Sequence, residues 1–307
     1  MTVRRQKISC YWILLFLFVG ANALVTYDTD SGRRFFIWSL CMGATNYQKC
    51  VETEFYGQTI LGVFEADCSD LVFKGLCRVV IDVDDGYNLL GITFKSETGI
   101  ESMTANVATR IGNQKLVKFG NYGMVMNDLL IAHGRLWNNG FGAYMQNLWI
   151  EYCDLYISFS GFSMGACLAQ TAAVRFKEEK WWPQDQMFYF GFGAPRCGNE
   201  DFAYYMDQSV EDKFNINWMQ DPFPSYPITT CPTGSSAALG GCTTGYFHCC
   251  TTIHYTSYSS VALSTYETCG SNQCLAASPN NADHWTYFQT DATDVDSLTC
   301  TDTKKFP

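Results

Sequence analysis

A serine flanked by glycines, in the pentapeptide 161–165 (GFSMG), is the first feature of this sequence that indicates catalysis. A strand-like run at 154–160 precedes Ser163, and a helix-like run at 164–177 follows it. A tight turn between a strand and a helix exposes a serine hydroxyl, and small neighbours let the two elements pack closely. The helix start would also place the backbone N–H of Met164 where it can stabilise an oxyanion. The alternative is an ordinary glycine-rich turn, so the hypothesis needs an acid and a base.

Asp221 is the acid expected to support this serine. It directly follows the predicted strand 213–219, so it would lie at the carboxyl edge of the sheet, as the serine does. Pro222 and Pro224 end that strand and stiffen the loop. An aspartate before a proline is also a common turn former, which is the structural alternative.

Four histidines compete for the role of base. His133 lies upstream of the serine on a predicted helix, where we expect it at the surface. His248 and His254 fall in a cysteine-rich stretch and have no other support. His284 follows a polar loop and precedes an aromatic run, so it is the candidate base. The nucleophile, acid and base of α/β-hydrolases follow one another along the chain in the order found here: Ser163, Asp221 and His284.

The segments around these residues alternate between strand and helix signals. Apolar and β-branched runs predict strands at 77–84, 88–95, 154–160, 186–193 and 213–219, the first two paired through a tight turn. Apolar residues at helical spacing predict helices at 164–177, at 201–207 and at 121–150, the last with a break at 138–140. This alternation predicts an α/β fold with a mostly parallel central sheet flanked by helices. Residues 231–274 show little periodicity and are predicted to be a long loop region held by disulfides.

The first 23 residues are typical of an export signal. Three basic residues precede the apolar run 11–19, and Ala21-Asn22-Ala23 offers a cleavage site between small residues. The nine residues of that run are too few to cross a bilayer comfortably, and an uncleaved anchor is the alternative. We therefore predict a signal peptide at 1–23, a single domain at 24–307 and secretion.

Cysteine usage agrees with export. The chain has 15 cysteines, and Cys10 lies in the predicted signal, which leaves 14 in the mature chain. An even, high count after an export signal indicates disulfides, here concentrated in N-terminal and C-terminal segments. Cys153 and Cys167 flank the serine motif and are expected as buried free thiols. No C-x-x-C pair is present, which argues against a zinc site, and no metal or other cofactor is predicted.

The acidic balance argues against one class of partner. Loss of three basic residues with the signal takes the formal charge from −10 to −13. Nucleic-acid binding needs a basic surface, so no nucleic-acid partner is expected. The composition leaves the oligomeric state open.

Four further stretches resemble the motifs of one family. FGFGAPRCGNEDFA (190–203) is similar to F-G-x-P-R-x-G-N-x-x-F-A, DPFPSYP (221–227) to D-x-V-P-x-x-P, and DHWTYF (283–288) to D-H-x-x-Y-F. YFHCCTTIHY (246–255) is similar to Y-x-H-x-x-x-E-V-W-Y, which implies a structural role for its first histidine, His248. From about residue 79 to 288 the chain thus resembles the class 3, or fungal-type, lipases, particularly their secreted, cysteine-rich invertebrate members. The resemblance implies an α/β-hydrolase fold and assigns the same nucleophile, acid and base.

Two positions depart from the family pattern. The family has His before the nucleophile, in G-H-S-L-G-G, and this chain has Phe162, which changes packing but supplies no reacting group. The family's first oxyanion donor lies in F-R-G-T, and the matching residues 94–97 are Phe-Lys-Ser-Glu. Glu97 thus stands at the Thr position with Thr98 beside it, and the resemblance makes this loop the oxyanion partner of Met164. A carboxylate facing the site would oppose the oxyanion, and losing one donor costs roughly 10²–10³-fold in rate.

Residues 99–118 follow this loop, where the family places its lid. Ile100, Met103 and Val107 would share one helical face, which could cover an apolar site or touch a lipid–water interface. Contacts within the core are the alternative.

The leading functional hypothesis is a secreted serine hydrolase of carboxylic esters, and the resemblance implies a triacylglycerol lipase. The same residues would serve an esterase acting on other lipids or on aryl esters. The alternative is a catalytically impaired member that binds lipid or protein, which the altered oxyanion loop supports. The expected partners are therefore a lipid or other ester substrate and a lipid–water interface.

Overall fold

An eight-stranded sheet organises the chain. The computed structural model describes residues 27–42, 44, 47–54, 58–73, 75–96, 110–111, 113–227, 245–257, 265–270, 274–276 and 278–290. The strands are β1 (Gln58–Asp67), β2 (Leu76–Asp84), β3 (Leu89–Ser96), β4 (Leu116–Lys118), β5 (Met124–Met126), β6 (Tyr156–Phe162), β7 (Met187–Phe192), β8 (Asp212–Trp218), β9 (Thr251–Tyr255) and β10 (Glu267–Cys269). β4 and β5 form a separate two-stranded sheet.

The large sheet is mostly parallel, as predicted. Its strand order is β1-β2-β3-β6-β7-β8-β9-β10, and each pair from β3 to β9 is parallel. The other pairs are antiparallel, and the predicted pairing of the first two sequence strands is confirmed by β2 and β3, with Asp84 opposite Leu89. Parallel strands direct their carboxyl ends to one edge of a sheet, so the residues that follow β6 and β8 gather there.

Helices cover both faces of this sheet. They are α1 (Thr29–Cys41), α2 (Tyr47–Glu54), α3 (Asn127–Leu136), α4 (Gly142–Tyr152), α5 (Met164–Glu179) and α6 (Glu200–Asp207). On one face Phe36 of α1 shares an aromatic core with Phe192 and Ile216 of the central strands. On the other face α3, α4, α5 and α6 contribute to a larger core that includes Leu129 and Leu168. No helix among the described residues is long and apolar enough to span a bilayer.

Two predicted segments need correction. The helix predicted from residue 121 begins only at Asn127, because Met124–Met126 pairs with β4 instead. The predicted break within it is present, at Gly140, whose φ is 104°. Residues 231–274 are not all loop, because they contain β9 and β10. β9 has only five residues, too few to show a clear alternation, and it forms through pairing with the distant β8.

Disulfides brace the described chain. Bonds join Cys41 to Cys50, Cys68 to Cys77, Cys167 to Cys197 and Cys269 to Cys274. The prediction that Cys153 and Cys167 are free thiols is wrong, because both are disulfide-bonded. Cys167 reaches a partner 30 residues away only because α5 packs against the segment that follows β7.

His133 is buried, so its expected surface position is also wrong. It lies on the inner face of α3, with its ring near those of Phe119 and Trp137 and its Nδ1 3.5 Å from Thr171 Oγ1. Burial, followed by the Arg175 charge, lowers the pKa of His133 to about 3, so the ring is neutral.

Side chains from the helical layer cover the free edge of β1. Three donors bind its carbonyl groups: Tyr144 binds Leu61 at 2.5 Å, Asn139 binds Glu65 at 2.6 Å, and Arg135 binds Asp67 at 2.6 Å. An edge strand otherwise presents a row of unpaired backbone groups. These three contacts therefore satisfy three backbone carbonyls at the edge of the sheet.

Candidate active site

Ser163 occupies a strained turn between β6 and α5. Its φ is 55° and its ψ is −127°, a conformation that a residue with a side chain rarely adopts. Two backbone hydrogen bonds hold the turn: Ser163 N–H donates to the Phe192 carbonyl at 2.7 Å, and Ala166 N–H donates to the Ser163 carbonyl at 3.0 Å. α5 begins at the next residue, Met164, so the serine sits at a helix N-terminus, as predicted.

Two glycines make this close approach of strand and helix achievable. A Cβ at Gly161 would lie 2.4 Å from the backbone carbon of Gly165. A Cβ at Gly165 would lie 2.4 Å from the carbonyl oxygen of Phe94, near the end of β3. No side chain fits at either position, so the small residues on both sides of Ser163 are a steric requirement of the turn.

Asp221 follows β8 and is buried with every carboxylate oxygen engaged. His284 Nδ1–H donates to its Oδ2 at 2.8 Å, and the Tyr287 hydroxyl donates to the same oxygen at 2.5 Å. The backbone N–H of Phe223 donates to Oδ1 at 2.8 Å. Burial, and then the Asp221 charge, raise the pKa of Tyr287 well above its usual value, so its hydroxyl stays protonated and donates. These three donors fix the carboxylate in one orientation.

His284 lies in a short 3₁₀ helix, Asn281–Trp285, and is fully buried. Its ring is stacked between two aromatic rings, with centroid distances of 4.6 Å to Phe162 and 3.9 Å to Phe223. Because Nδ1 donates to Asp221, the neutral ring presents Nε2 as a proton acceptor. Phe162, at the position where the resembled family has His, therefore forms one wall of the histidine site.

The structure brings Asp221 and His284 together and places them beside the residue that precedes Ser163. Ser163 Oγ and His284 Nε2 are both buried, and neither has a hydrogen-bond partner among the described residues. These are the two atoms between which a serine hydrolase transfers its first proton. Such contacts are often long in an enzyme without substrate and tighten when substrate binds.

A glycine with positive φ lies against the acid and the base. Gly193 directly follows β7, has a φ of 57° and donates its N–H to the Ile216 carbonyl at 3.0 Å. A Cβ at this position would lie 2.8 Å from Asp221 Oδ2 and 2.9 Å from His284 Cε1. The space beside the acid–base pair is therefore filled by backbone.

Arg196 holds the loop that carries Asp221 by binding its backbone carbonyls. Its guanidinium Nη1 donates to the carbonyls of Ser225 (2.6 Å) and Pro227 (2.8 Å). Burial lowers the pKa of Arg196 to about 10, so it stays charged at neutral pH. This arginine belongs to the P-R-C-G-N stretch, which links that motif to the position of the acid.

Two other histidines bind backbone carbonyls. His248 Nε2 lies 2.6 Å from the Pro224 carbonyl, and His254 Nε2 lies 2.8 Å from the Met219 carbonyl. Burial, and then the Arg196 charge, lower the pKa of His248 to about 3, so it is neutral and donates from Nε2. Both contacts hold the segments on either side of Asp221, which is a structural use of these side chains.

Several parts of this site were not predicted from the sequence. Tyr287 stands in the D-H-x-x-Y-F stretch, three residues after His284, and that spacing was the available signal for its contact with Asp221. The roles of Phe223 and Gly193 depend on tertiary packing and had no local signal. Of the predicted oxyanion residues, Met164 is buried at the start of α5, whereas Glu97 and Thr98 lie outside the described residues.

Most of the predicted lid also lies outside the described residues, including Ile100, Met103 and Val107. The end of that segment is not helical, because Leu116–Lys118 forms β4. Ile111, just before it, is fully buried in the larger core.

Two groups of three side chains in the described part of the chain place potential metal ligands close together. One contains His254, Glu267 and Cys274, but Cys274 is committed to a disulfide with Cys269. The other contains Asp207, Cys249 and Cys250, and so none of the predicted nucleophile, acid and base.

Comparison with known proteins identifies one similar family and several similar folds. Residues 91–231 match the model of the lipase (class 3) family. No curated protein matches the chain. Among solved structures, a lipase from Rhizopus microsporus var. chinensis matches with a TM-score of 0.67 at 18% identity, covering 88% of this chain and 91% of that one.

Two further fungal structures share the fold. The triacylglyceride lipase of Rhizomucor miehei matches with a TM-score of 0.67 at 15% identity, covering 88% of this chain and 98% of that one. Lip2 lipase from Yarrowia lipolytica matches with a TM-score of 0.63 at 16% identity, covering 87% and 96%. The predicted α/β-hydrolase fold is thereby confirmed. The chain thus matches the class 3 lipase family over residues 91–231 and shares the fold of fungal lipases over most of its length.

Proposed function

We propose that this chain is a secreted serine hydrolase of carboxylic esters, in which Ser163 is the nucleophile, His284 the base and Asp221 the acid. The match of residues 91–231 to a lipase family supports ester hydrolysis as the class of reaction. One observation carries the residue assignment. Asp221 and His284 form a buried hydrogen-bonded pair although they are 63 residues apart, and His284 Nε2, beside the strained serine turn, has no hydrogen-bond partner among the described residues.

In the acylation step Ser163 Oγ attacks the ester carbonyl carbon while its proton passes to His284 Nε2. Asp221 stabilises the imidazolium that forms and keeps the ring in the correct orientation. The tetrahedral intermediate collapses when the C–O bond to the alcohol breaks, and His284 returns the proton to the departing alcohol. The stacked rings of Phe162 and Phe223 keep the imidazole plane fixed through both transfers.

Deacylation repeats this chemistry with water. His284 accepts a proton from water, whose oxygen attacks the acyl carbon, and the proton then passes to Ser163 Oγ as the carboxylic acid leaves. The developing oxyanion needs backbone donors. Met164 N–H supplies one at the start of α5. The backbone N–H of Glu97 or of Thr98, in the loop that begins at Ser96, supplies the other.

The substrate is a lipid ester, and a triacylglycerol is the leading candidate. The support is analogy with relatives: one similar structure is described as a triacylglycerol lipase with a serine protease triad. Another concerns interfacial activation in a fungal lipase bound to an inhibitor, which supports action at a lipid–water interface. Faster hydrolysis of an emulsified triacylglycerol than of the same ester below its solubility limit would support this assignment.

The decisive experiment measures p-nitrophenyl butyrate hydrolysis by the purified mature protein and by Ser163→Ala. We expect the substitution to reduce kcat by roughly 10⁴-fold or more, because the remaining rate comes from binding and oxyanion stabilisation alone. Ser158→Ala is the matched control, since Ser158 is a buried serine like Ser163 but lies within β6 and not at the turn that follows it. That variant should keep at least half of the activity.

A fluorophosphonate probe gives an independent readout. It should label wild type and Ser158→Ala once per chain and leave Ser163→Ala unlabelled, since the probe reacts with an activated serine. A folded wild-type protein that neither hydrolyses short or long esters in detergent nor reacts with the probe would contradict the proposal. That result would favour the lipid- or protein-binding alternative, with Glu97 as the residue to replace first.

Secretion is part of the proposal. The disulfides of the described residues support an oxidising compartment, and residues 1–23 have the features of a signal. Expression in a eukaryotic cell should release protein whose N-terminal residue is Leu24. Retention of the whole chain in the membrane fraction would indicate the uncleaved anchor.

A further inference from the structure

Two adjacent cysteines stand apart from the proposed active site. Cys249 and Cys250 directly precede β9, both are buried, and both are free thiols in this structure. Their sulfur atoms lie within 4.8 Å of each other, and the two thiols are hydrogen-bonded to one another. We propose that in the mature protein Cys249 and Cys250 are oxidised to a disulfide with each other, closing a ring across a single peptide bond.

Within the described part of the chain, these two thiols have no other cysteine to pair with. Nine of the cysteines in the described part of the chain are disulfide-bonded, and these two are the free ones there. Their oxidation rests on the proposed secretion, which would place the chain in an oxidising compartment, where a pair of thiols in contact does not persist. Because both side chains are buried, a thiol from another molecule has no access to either of them once the chain has folded.

The backbone is already bent at this pair. Cys250 has a φ of 73°, in the left-handed region that residues with side chains rarely adopt. Two hydrogen bonds hold the bend: Cys250 N–H donates to Asp207 Oδ1 at 2.7 Å, and the Asn215 side-chain amide donates to the Cys249 carbonyl at 2.9 Å. An unusual backbone conformation held on both sides is what a ring across adjacent residues requires.

The chemistry balances as an ordinary thiol–disulfide exchange. Each thiol loses one hydrogen, the two sulfurs form one bond, and two electrons and two protons pass to an incoming disulfide, which becomes two thiols. Burial, followed by the contact with Cys249, raises the pKa of Cys250 well above its usual value, so little thiolate exists in the folded chain. Exchange needs the thiolate, so the bond forms before this segment is packed and is protected from reduction afterwards.

The ring would stiffen a segment that supports the acid loop. His248, next to Cys249, binds the Pro224 carbonyl three residues beyond Asp221. On the other side, β9 pairs with β8, the strand that delivers Asp221. A disulfide at 249–250 would therefore fix the angle between these two supports of the acid.

The first test is a mass measurement on wild-type protein. The chain is unfolded in guanidinium chloride without reductant, alkylated with iodoacetamide and digested with chymotrypsin, which cuts after Phe247 and Tyr255. The peptide 248–255 contains both cysteines and no others. We expect it to be unalkylated and about 2 Da lighter than its reduced form, since two hydrogens are lost.

Two results would overturn the proposal. Peptide 248–255 carrying two alkyl groups would show free thiols, and the same peptide cross-linked to another would show a different pairing. If the thiols are free, titration of the folded protein with Cd²⁺ decides whether Asp207 and the two cysteines instead form a metal site. One thiolate charge-transfer band at one equivalent would assign them to the metal and reject the disulfide.

A double-mutant cycle tests the constraint itself. If the bond exists, Cys249→Ser and Cys250→Ser each break it, so either one should lower the free energy of unfolding about as much as both together. Additive losses would mean that the two side chains act independently and would refute a covalent link. The mass measurement uses wild-type protein, so the proposal stays testable even if a serine variant does not fold.

Discussion

The substitution Gly193→Ala tests whether backbone packing holds the acid and base in place. A Cβ at this position would lie 2.8 Å from Asp221 Oδ2, whereas ordinary contacts of a Cβ begin near 3.4 Å. Relief of the overlap therefore requires a shift of about 0.6 Å, since the methyl group also meets His284 Cε1 at 2.9 Å and cannot turn away. A catalytic constellation must be held within about 0.5 Å of its productive geometry.

The expected cost has two parts. The left-handed backbone at Gly193 makes any side chain unfavourable by roughly 1–2 kcal/mol, which lowers stability. Displacement of the acid–base pair lowers kcat by roughly 10–100-fold, because a misplacement of about 1 Å costs on the order of 10²-fold. KM should change little, since no substrate-binding group is removed.

Gly245→Ala is the matched control for this measurement. Gly245 also has a positive φ, 70°, but of the described residues its Cβ would meet only Leu116, with Cδ1 at an ordinary 3.5 Å. Thermal unfolding and p-nitrophenyl ester kinetics of both variants separate the two costs. Both should lose the backbone part of the stability, Gly193→Ala should lose more because its overlap must also be relieved, and only Gly193→Ala should lose kcat. Equal activity in the two variants would refute the idea that Gly193 shapes the acid–base pair.

Two further substitutions address buried polar groups. Burial, and then the Asp84 charge, raise the pKa of Asp82 well above 3.8, while a hydrogen bond from Trp38 and the Arg34 charge act against the rise. Between the unfolded pKa and the raised folded pKa, the folded chain binds a proton that the unfolded chain has lost, so stability falls as pH rises through that range. Asp82→Asn should therefore unfold at a higher temperature than wild type at pH 7–8, with the gap shrinking towards pH 4; a pH-independent gap would contradict this reasoning. Tyr287→Phe removes the 2.5 Å hydrogen bond to Asp221 and should cost about 1.5–3 kcal/mol of unfolding free energy in urea melts, together with a several-fold loss of kcat. A variant as stable and active as wild type would show that the hydroxyl contact contributes nothing.

The strands and helices that could be predicted are those whose own residues show a clear apolar pattern. The strands that became β2, β3, β6, β7 and β8 are apolar runs with clear ends, and α5 and α6 show helical spacing. β9 was not predicted, because it is short and forms only by pairing with β8. The backbone of β9 forms its hydrogen bonds with strands that are distant along the chain, so the residues of β9 and their immediate neighbours carry no signal for it.

Of the candidate active site, too, the parts set by neighbouring residues could be predicted, and the parts set by tertiary packing could not. The turn at Ser163 was predictable because it requires small residues, and the glycines that meet this requirement, Gly161 and Gly165, stand two positions before and after the serine. The pairing of Asp221 with His284 followed from their order along the chain and from the family motifs. The stacking of Phe162 and Phe223 on the imidazole, and the disulfide of Cys167, arise where distant elements meet, so sequence spacing carries no signal for them.

The covered edge of β1 has a consequence for how molecules behave when crowded together. The carbonyl groups of Leu61, Glu65 and Asp67 already accept hydrogen bonds, so a strand from a second molecule would have to displace three donors before it could pair there. Each displaced donor would leave its partner unsatisfied or return it to water, which removes the gain from the new backbone pairing. Wherever many copies accumulate on a small surface, this edge resists the edge-to-edge joining of sheets that begins aggregation.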